Sequence, residues 1–356
     1  MSYTTLSCSK VKQDAWSSAG LITAVQQPRT TRAALFVRCS ASSPDQALRD
    51  KLSLHSSTLR AAWMITKSLL LHSERLRGGR THSTTTTMSA SPLWTSAKVF
   101  GACNGLGLGI SLAKDTHTHL DLIGTGAFAV AAYATRGPSP ASRTSSLMVG
   151  AWATRLASFL FYRALGHRDG RLEGTTKTLQ GCVGFWFVSF VWGWLTLLPH
   201  ALGASAPKVE NKVLRRSGLA LFALGLATEV MADFQKFFFK RNHKGFCDVG
   251  LWSVSQHPNW FGNLCLWSGI TLYNAPGLSP VKLALAAVSP VFLGALFGAQ
   301  ASGSLTPAVE LSQARYGSDP RFAAYLENTP LFMPRVDKWL AALASGLVGK
   351  GWGPEL

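Results

Sequence analysis

The chain of 356 residues carries a formal net charge of +18, is 47% hydrophobic and holds 12 Trp and 19 Phe. Its apolar residues come in long runs rather than amphipathic stripes, which argues for membrane spans and against a soluble fold. The basic residues gather near the N-terminus and between apolar runs, so the charge reads as membrane topology and no nucleic-acid partner is expected; the six cysteines form no CxxC pair, which argues against a zinc site or a disulfide framework, and no metal is expected.

Residues 1–90 hold 12 Lys/Arg against four acidic residues, Asp14, Asp45, Asp50 and Glu74, and are rich in Ser and Thr. This is transit-peptide composition, so a disordered N-terminal extension with a plastid or mitochondrial address is expected, with the endoplasmic reticulum as the other membrane open to the chain. The run AAWMITKSLLLH is too short to span and reads as an amphipathic part of the signal. Plain disorder is one alternative, and translation from Met88 is another. The mature protein is expected to begin between residues 40 and 92.

Seven apolar segments follow, near 92–113, 119–135, 145–166, 178–203, 214–239, 260–277 and 280–303. A span needs about 20 residues and the second and sixth segments are short, so an all-α, multi-pass transmembrane bundle of six to seven helices is expected over 91–340, with 341–356 as a tail. The first segment contains GACNGLGLGI, but without a preceding strand its glycine spacing is not a dinucleotide fingerprint. With seven spans, the loops after the odd-numbered segments and the C-terminal tail share one side. Arg163, Arg168, Arg171, Lys177, Lys236, Lys240, Arg241, Lys244, Arg315, Arg321 and Arg335 lie there, which favours a cytosolic, stromal or matrix face.

The third segment ends WATRLASFLFYRALGHRDGR, where Arg155, Tyr162 and Arg163 at i, i+7 and i+8 make a polar face. Arg163 alone could snorkel to the interface, but Arg155 lies deeper in the span. The fifth segment ends with Glu229, Asp233, Lys236 and Lys240 at i, i+4, i+7 and i+11, again on one face. Ionisable groups at membrane depth cost roughly 2.5 to 3.5 kcal/mol on insertion scales, so this face is expected to line a polar cavity or to form an internal ion pair. A basic loop, Arg241 to Lys244, leads to Ser255-Gln256-His257-Pro258-Asn259-Trp260-Phe261-Gly262-Asn263. Pro258 keeps residue 257 extended and Gly262 permits close backbone approach, which presents His257, Asn259 and Asn263 at a helix entrance suited to phosphate or carboxylate. Trp260 and Phe261 are residues of a kind more often found as packing or interface aromatics.

DFQKFFFK, then FCDVGLWSVSQHPNWFG, resembles the C-terminal half of the steroid 5-alpha-reductase superfamily, and most of all its uncharacterised membrane branch. The resemblance spans about residues 92–336 and includes WATRLASFLFYRALGHRDGR and YGSDPRFAAYLENTPLFMP. The His-Pro-Asn-aromatic-x-Gly block is shared with isoprenylcysteine carboxyl methyltransferases, and the family usually has Glu where this chain has Asn263. The resemblance implies NADPH as cofactor, with Asp233, Lys240 and Asn259 in its pocket and the tail residues Glu310, Tyr316, Asp319 and Tyr325 over it. The full cofactor-binding set expected is Arg155, Arg163, Glu229, Asp233, Lys236, Lys240, Asn259, Trp260 and Asn263, with Tyr162 and His257 as candidate proton donors. The activity implied is reduction of a carbon–carbon double bond conjugated to a carbonyl in a lipid or sterol-like substrate. A methyltransferase using S-adenosylmethionine and a non-catalytic lipid-binding protein are the alternatives.

Overall fold

In the computed structural model, which describes residues 91–114, 118–166, 178–304 and 308–348, each of the seven apolar segments forms one long α-helix. These are α1 (Pro92–Lys114), α2 (Leu120–Thr135), α3 (Pro140–Gly166), α4 (Leu179–Ala204), α5 (Lys212–Asn242), α6 (Pro258–Asn274) and α7 (Pro280–Ala301). Three shorter helices follow, α8 (Ala308–Tyr316), α9 (Pro320–Asn328) and α10 (Val336–Leu347), and a 3₁₀ turn, Gly250–Ser253, sits between α5 and α6. No strand occurs among the described residues. The expected N-terminal extension and its signal, the loop residues Arg168, Arg171 and Lys177, and residues 349–356 lie outside them.

Local sequence explains the helix starts. Thr178 accepts a hydrogen bond from the Gly181 amide, Asn211 from Leu214 and Ser279 from Lys282, while Pro258 and Pro280 occupy first turns where a missing N–H costs nothing. Helices α4, α5 and α7 are long and apolar enough to cross a membrane on length and composition alone, and α2 is a shorter apolar helix. The other long helices are less apolar because they turn polar groups into the bundle: Ser96 and Asn104 on α1, Ser142 and Ser145 on α3, Asn263 and Asn274 on α6. The protein is therefore a multi-pass helical membrane protein whose interior is partly polar.

The core is centred on Phe128, fully buried, whose ring lies 4.9 Å from Phe100, 5.0 Å from Trp192, 5.1 Å from Trp152 and 5.6 Å from Trp267. Edge-on aromatic pairs of this kind add about 0.5 to 1.5 kcal/mol each beyond the area they bury. The closest helix pair is α5 with α6, antiparallel, and glycine makes that approach possible. A Cβ at Gly225 would sit 2.4 Å from the Leu266 amide nitrogen, and one at Gly262 would sit 2.7 Å from that of Glu229. The backbones touch there, so side chains one turn away are forced together. The tail returns to the loop before α6: Ser255 donates to the Phe332 carbonyl, Tyr325 to Trp252, and the Gln256 side-chain amide to Leu326 and Thr329. Helix α10 runs past residue 340, where the apolar pattern places the end of the bundle. It does so because Trp339 and Leu343 are buried on the side that faces α5, with the Trp339 indole N–H donating to Thr228.

Candidate functional site

The close contact of α5 and α6 decides which polar groups meet. One turn beyond Gly225, Glu229 accepts a hydrogen bond from Asn263 Nδ2 at 2.9 Å; a turn further, Asp233 accepts one from Asn259 Nδ2 at 3.2 Å. Helix α3 completes the cluster from the other side. Trp152 Nε1 donates toward both oxygens of Glu229, at 3.1 and 3.3 Å, and Arg155 Nη1 stands 3.2 Å from Glu229 Oε1 and 2.9 Å from Asp233 Oδ2. Glu229 is 3% exposed and Asp233 8%. Two carboxylates thus share one guanidinium nitrogen inside the bundle, a formal excess of one negative charge. A buried charge is tolerable only when ion pairing and hydrogen bonds replace its hydration, and here Trp152, Asn259 and Asn263 provide the bonds that Arg155 cannot.

The cluster is not closed. Arg155 Nε and Nη2 and Asn259 Oδ1 are buried and have no hydrogen-bond partner. The guanidinium carbon instead lies 5.2 Å from the Phe159 ring centre and 6.0 Å from that of Phe234, which hold the side chain in place without satisfying its N–H groups. Two donors and one acceptor without partners in one buried place are uncommon in a folded interior and mark where a ligand's polar groups would be accommodated.

Of the residues expected from sequence, Arg155, Glu229, Asp233, Asn259 and Asn263 come together in this cluster. The remainder lie around it. Lys236 places its ammonium 3.9 Å over the Trp252 ring. Lys240 donates to the Gly245 carbonyl and the Tyr316 hydroxyl, so it ties α8 to the loop after α5 and does not reach the carboxylates. Arg163 is exposed, yet near enough to interact electrostatically with Asp233 and Lys236. Tyr162 is 59% exposed with its ring against Phe237, away from the cluster. Trp260 stacks between His257, at 4.1 Å, and Phe297, at 5.6 Å. Among the tail residues, Tyr316 and Tyr325 bind the loop as described, Asp319 pairs with Arg321, and Glu310 is exposed.

His257 immediately precedes α6 and its side chain does not cap the helix, so the first amides of α6 keep no side-chain acceptor. Burial, reinforced by the Lys236 charge, pushes the His257 imidazole down to about 4, so it is neutral at pH 7. That makes it a neutral ring stacked on Trp260 rather than a resident imidazolium.

Two side chains that build the cluster and its surroundings escape a reading of the sequence. Trp152 lies one turn before Arg155 and was hidden in an apolar run, where its indole N–H, which needs a partner when buried, was the available signal. Gln235, whose Oε1 accepts from the Leu251 amide, fixes the loop that leads to His257.

A protein-family model described as "Protein of unknown function (DUF1295)" matches residues 108–329, a stretch that contains the whole cluster. Comparisons with curated proteins and with solved structures find no match.

Proposed function

The chain belongs to the DUF1295 family, whose model covers more than half of it, and we propose that this protein is a membrane-embedded reductase that uses NADPH to reduce a carbon–carbon double bond conjugated to a carbonyl in a lipid. The observation that carries the reading is the buried Arg155–Glu229–Asp233 cluster, with its donors and acceptor left without partners and with Arg163 and Lys236 close enough to interact electrostatically with Asp233. A nicotinamide carboxamide has one acceptor oxygen and one donor amide. That pattern complements the Arg155 N–H groups and Asn259 Oδ1, so the residues present fit the cofactor. When bound, NADPH supplies the hydride.

The protein's own groups do the rest. Glu229 and Asp233 hold Arg155 in one orientation through Nη1, which leaves its other nitrogens for recognition. The first amides of α6 and the cations Arg163 and Lys236, which interact electrostatically with Asp233, favour phosphate. His257, as a neutral imidazole, can polarise a carbonyl by hydrogen bonding, as neutral histidines do elsewhere. Tyr162 stays on the outer face of α3, so of the two donors expected from sequence His257 is the one retained here.

A second reading, a lipid methyltransferase using S-adenosylmethionine, draws support from the same cluster: its formal charge balance, two carboxylates against one guanidinium, suits a sulfonium cation. Titrating NADPH, NADH and S-adenosylmethionine into the detergent-purified protein by calorimetry separates the readings. The reductase requires NADPH binding, tighter than NADH. Binding of S-adenosylmethionine with no response to NADPH replaces it with the methyltransferase, and binding of none of the three leaves a lipid-binding protein.

A further inference from the structure

We propose that the groove between α2 and α3 is where the lipid substrate lies and enters from the bilayer, and that it takes a neutral, carbonyl-bearing chain with its oxygen toward Arg155. The inference deepens the reductase reading and rests on it. The groove, of about 640 Å³, is walled by Ala129 and Tyr133 from α2 and by Gly150, Ala151 and Thr154 from α3, with Arg155 at one end. It runs from Ser146 to Ser158, twelve residues, or about 18 Å at 1.5 Å per helical residue.

Its depth comes from small side chains: Ala129, Gly150 and Ala151 leave space where a lipid-facing helix would ordinarily carry Leu, Ile or Phe, and a Cβ at Gly150 would meet nothing within 4 Å. Its chemistry is graded. Ser146 at the far end spends its hydroxyl on the Ala132 carbonyl, Leu147, Gly150 and Ala151 follow, and the wall then turns polar at Thr154, Ser158 and Arg155, a sequence of environments that matches a chain ending in a polar head. Arg155 forms part of this wall, with its Nη1 held by Glu229 and Asp233.

Charge selects the head group. Arg155 already faces two carboxylates, so an anionic head would add a third negative charge, whereas a carbonyl oxygen accepts hydrogen bonds and brings none. The groove also contains Gly150, Thr154 and Ser158 at i, i+4 and i+8, a small-residue spacing that could seat a second helix. The absence of any polar requirement in such packing leaves the Arg155 end unexplained, so a lipid is the occupant argued here.

The test uses the full chain in phosphatidylcholine nanodiscs, a long-chain enone with a diazirine near its apolar end, and a fatty acid bearing the same diazirine. Crosslinked peptides are mapped by mass spectrometry. The enone should label residues 146–158, the fatty acid should label them less, and Gly150→Leu combined with Ala151→Trp should lower enone labelling there about tenfold by filling the track, with NADPH binding unchanged. Labelling that ignores the filled groove overturns the site. Equal labelling by the fatty acid overturns the carbonyl preference, and disulfide-linked dimers of Ala151→Cys assign the groove to a second copy instead. Groove labelling without NADPH binding by the wild type retires the reductase reading alone; NADPH binding without groove labelling retires this inference alone.

Discussion

Two of the buried polar clusters in the bundle lie one toward each end of α3, and they solve the problem of polar groups in a membrane protein in opposite ways. At one end His200 Nε2 meets the Ala132 carbonyl at 3.1 Å and Nδ1 meets the Ser145 hydroxyl at 2.9 Å, while Asn274 Nδ2 donates to the same hydroxyl. Since a carbonyl can only accept, Nε2 carries the proton and Nδ1 accepts from Ser145, a neutral chain of bonds. Its Ser–His pair has the look of a catalytic dyad, yet Ser145 and His200 are fully buried and none of its side-chain atoms is among the buried groups lacking a partner. At the other end, Arg155, Glu229 and Asp233 are charged, and Arg155 and the neutral Asn259 keep polar atoms without hydrogen-bond partners. Saturated polar groups join helices; unsaturated ones are what binding requires.

The largest effect should come from breaking the charged cluster at its centre. Arg155→Met leaves two buried carboxylates facing each other, and the penalty for removing one partner of a buried ion pair is about 3 to 5 kcal/mol. Thermal unfolding in detergent, followed by helical circular dichroism, should show severe destabilisation. A variant as stable as the wild type would mean that the carboxylates are not held as charges. At the closed end, His200→Ala removes one hydrogen-bonding ring and opens a cavity, at a cost of about 2 to 4 kcal/mol. It should leave nucleotide binding unchanged in the folded fraction, and loss of binding there would erase the distinction between the two clusters.

A smaller effect tests how α10 supports the open cluster. Trp339→Phe keeps the ring against Phe261 but loses the hydrogen bond to Thr228, next to Glu229, for about 0.5 to 1.5 kcal/mol. A drop in unfolding temperature with no change in nucleotide affinity is expected. A pH-dependent effect comes from His257. The imidazole of His257 ordinarily titrates at 6.5 and here at about 4, so between those values the unfolded chain binds more protons and stability falls as pH is lowered. Above 6.5 this residue contributes no slope. His257→Phe, which can keep a ring on Trp260, should flatten the stability profile between pH 6.5 and 4 relative to the wild type; parallel profiles would show that His257 is solvated.

Much of the architecture was legible because it follows from periodicity. Apolar runs of helical length became α1 to α7 with shifts of a few residues at most ends, and Gly262 was readable as a place of close backbone approach. On the site, the i, i+4 spacing of Glu229 and Asp233 announced a polar face, and Arg155 stood out as a charge inside a span. What spacing could not give was partnership across helices. Lys240 shares the helical face of Asp233 but sits beyond the end of the packed bundle, where Tyr316 and Gly245 claim it. Trp152 offered only the signal of an indole N–H that needs a partner, and an indole in an apolar run is usually core. The closed cluster was invisible for the same reason, since Ser145, His200 and Asn274 are far apart in sequence and each is unremarkable alone.

The central claim is that the open cluster binds a ligand and the closed one does not, and calorimetric titration of NADPH into wild type, Asn259→Ala and Ser145→Ala tests it. Asn259→Ala removes the unpartnered acceptor and should weaken binding about tenfold, the equivalent of roughly 1.4 kcal/mol. Ser145→Ala should bind as the wild type does. Unchanged affinity in Asn259→Ala, or a loss confined to Ser145→Ala, would contradict the account.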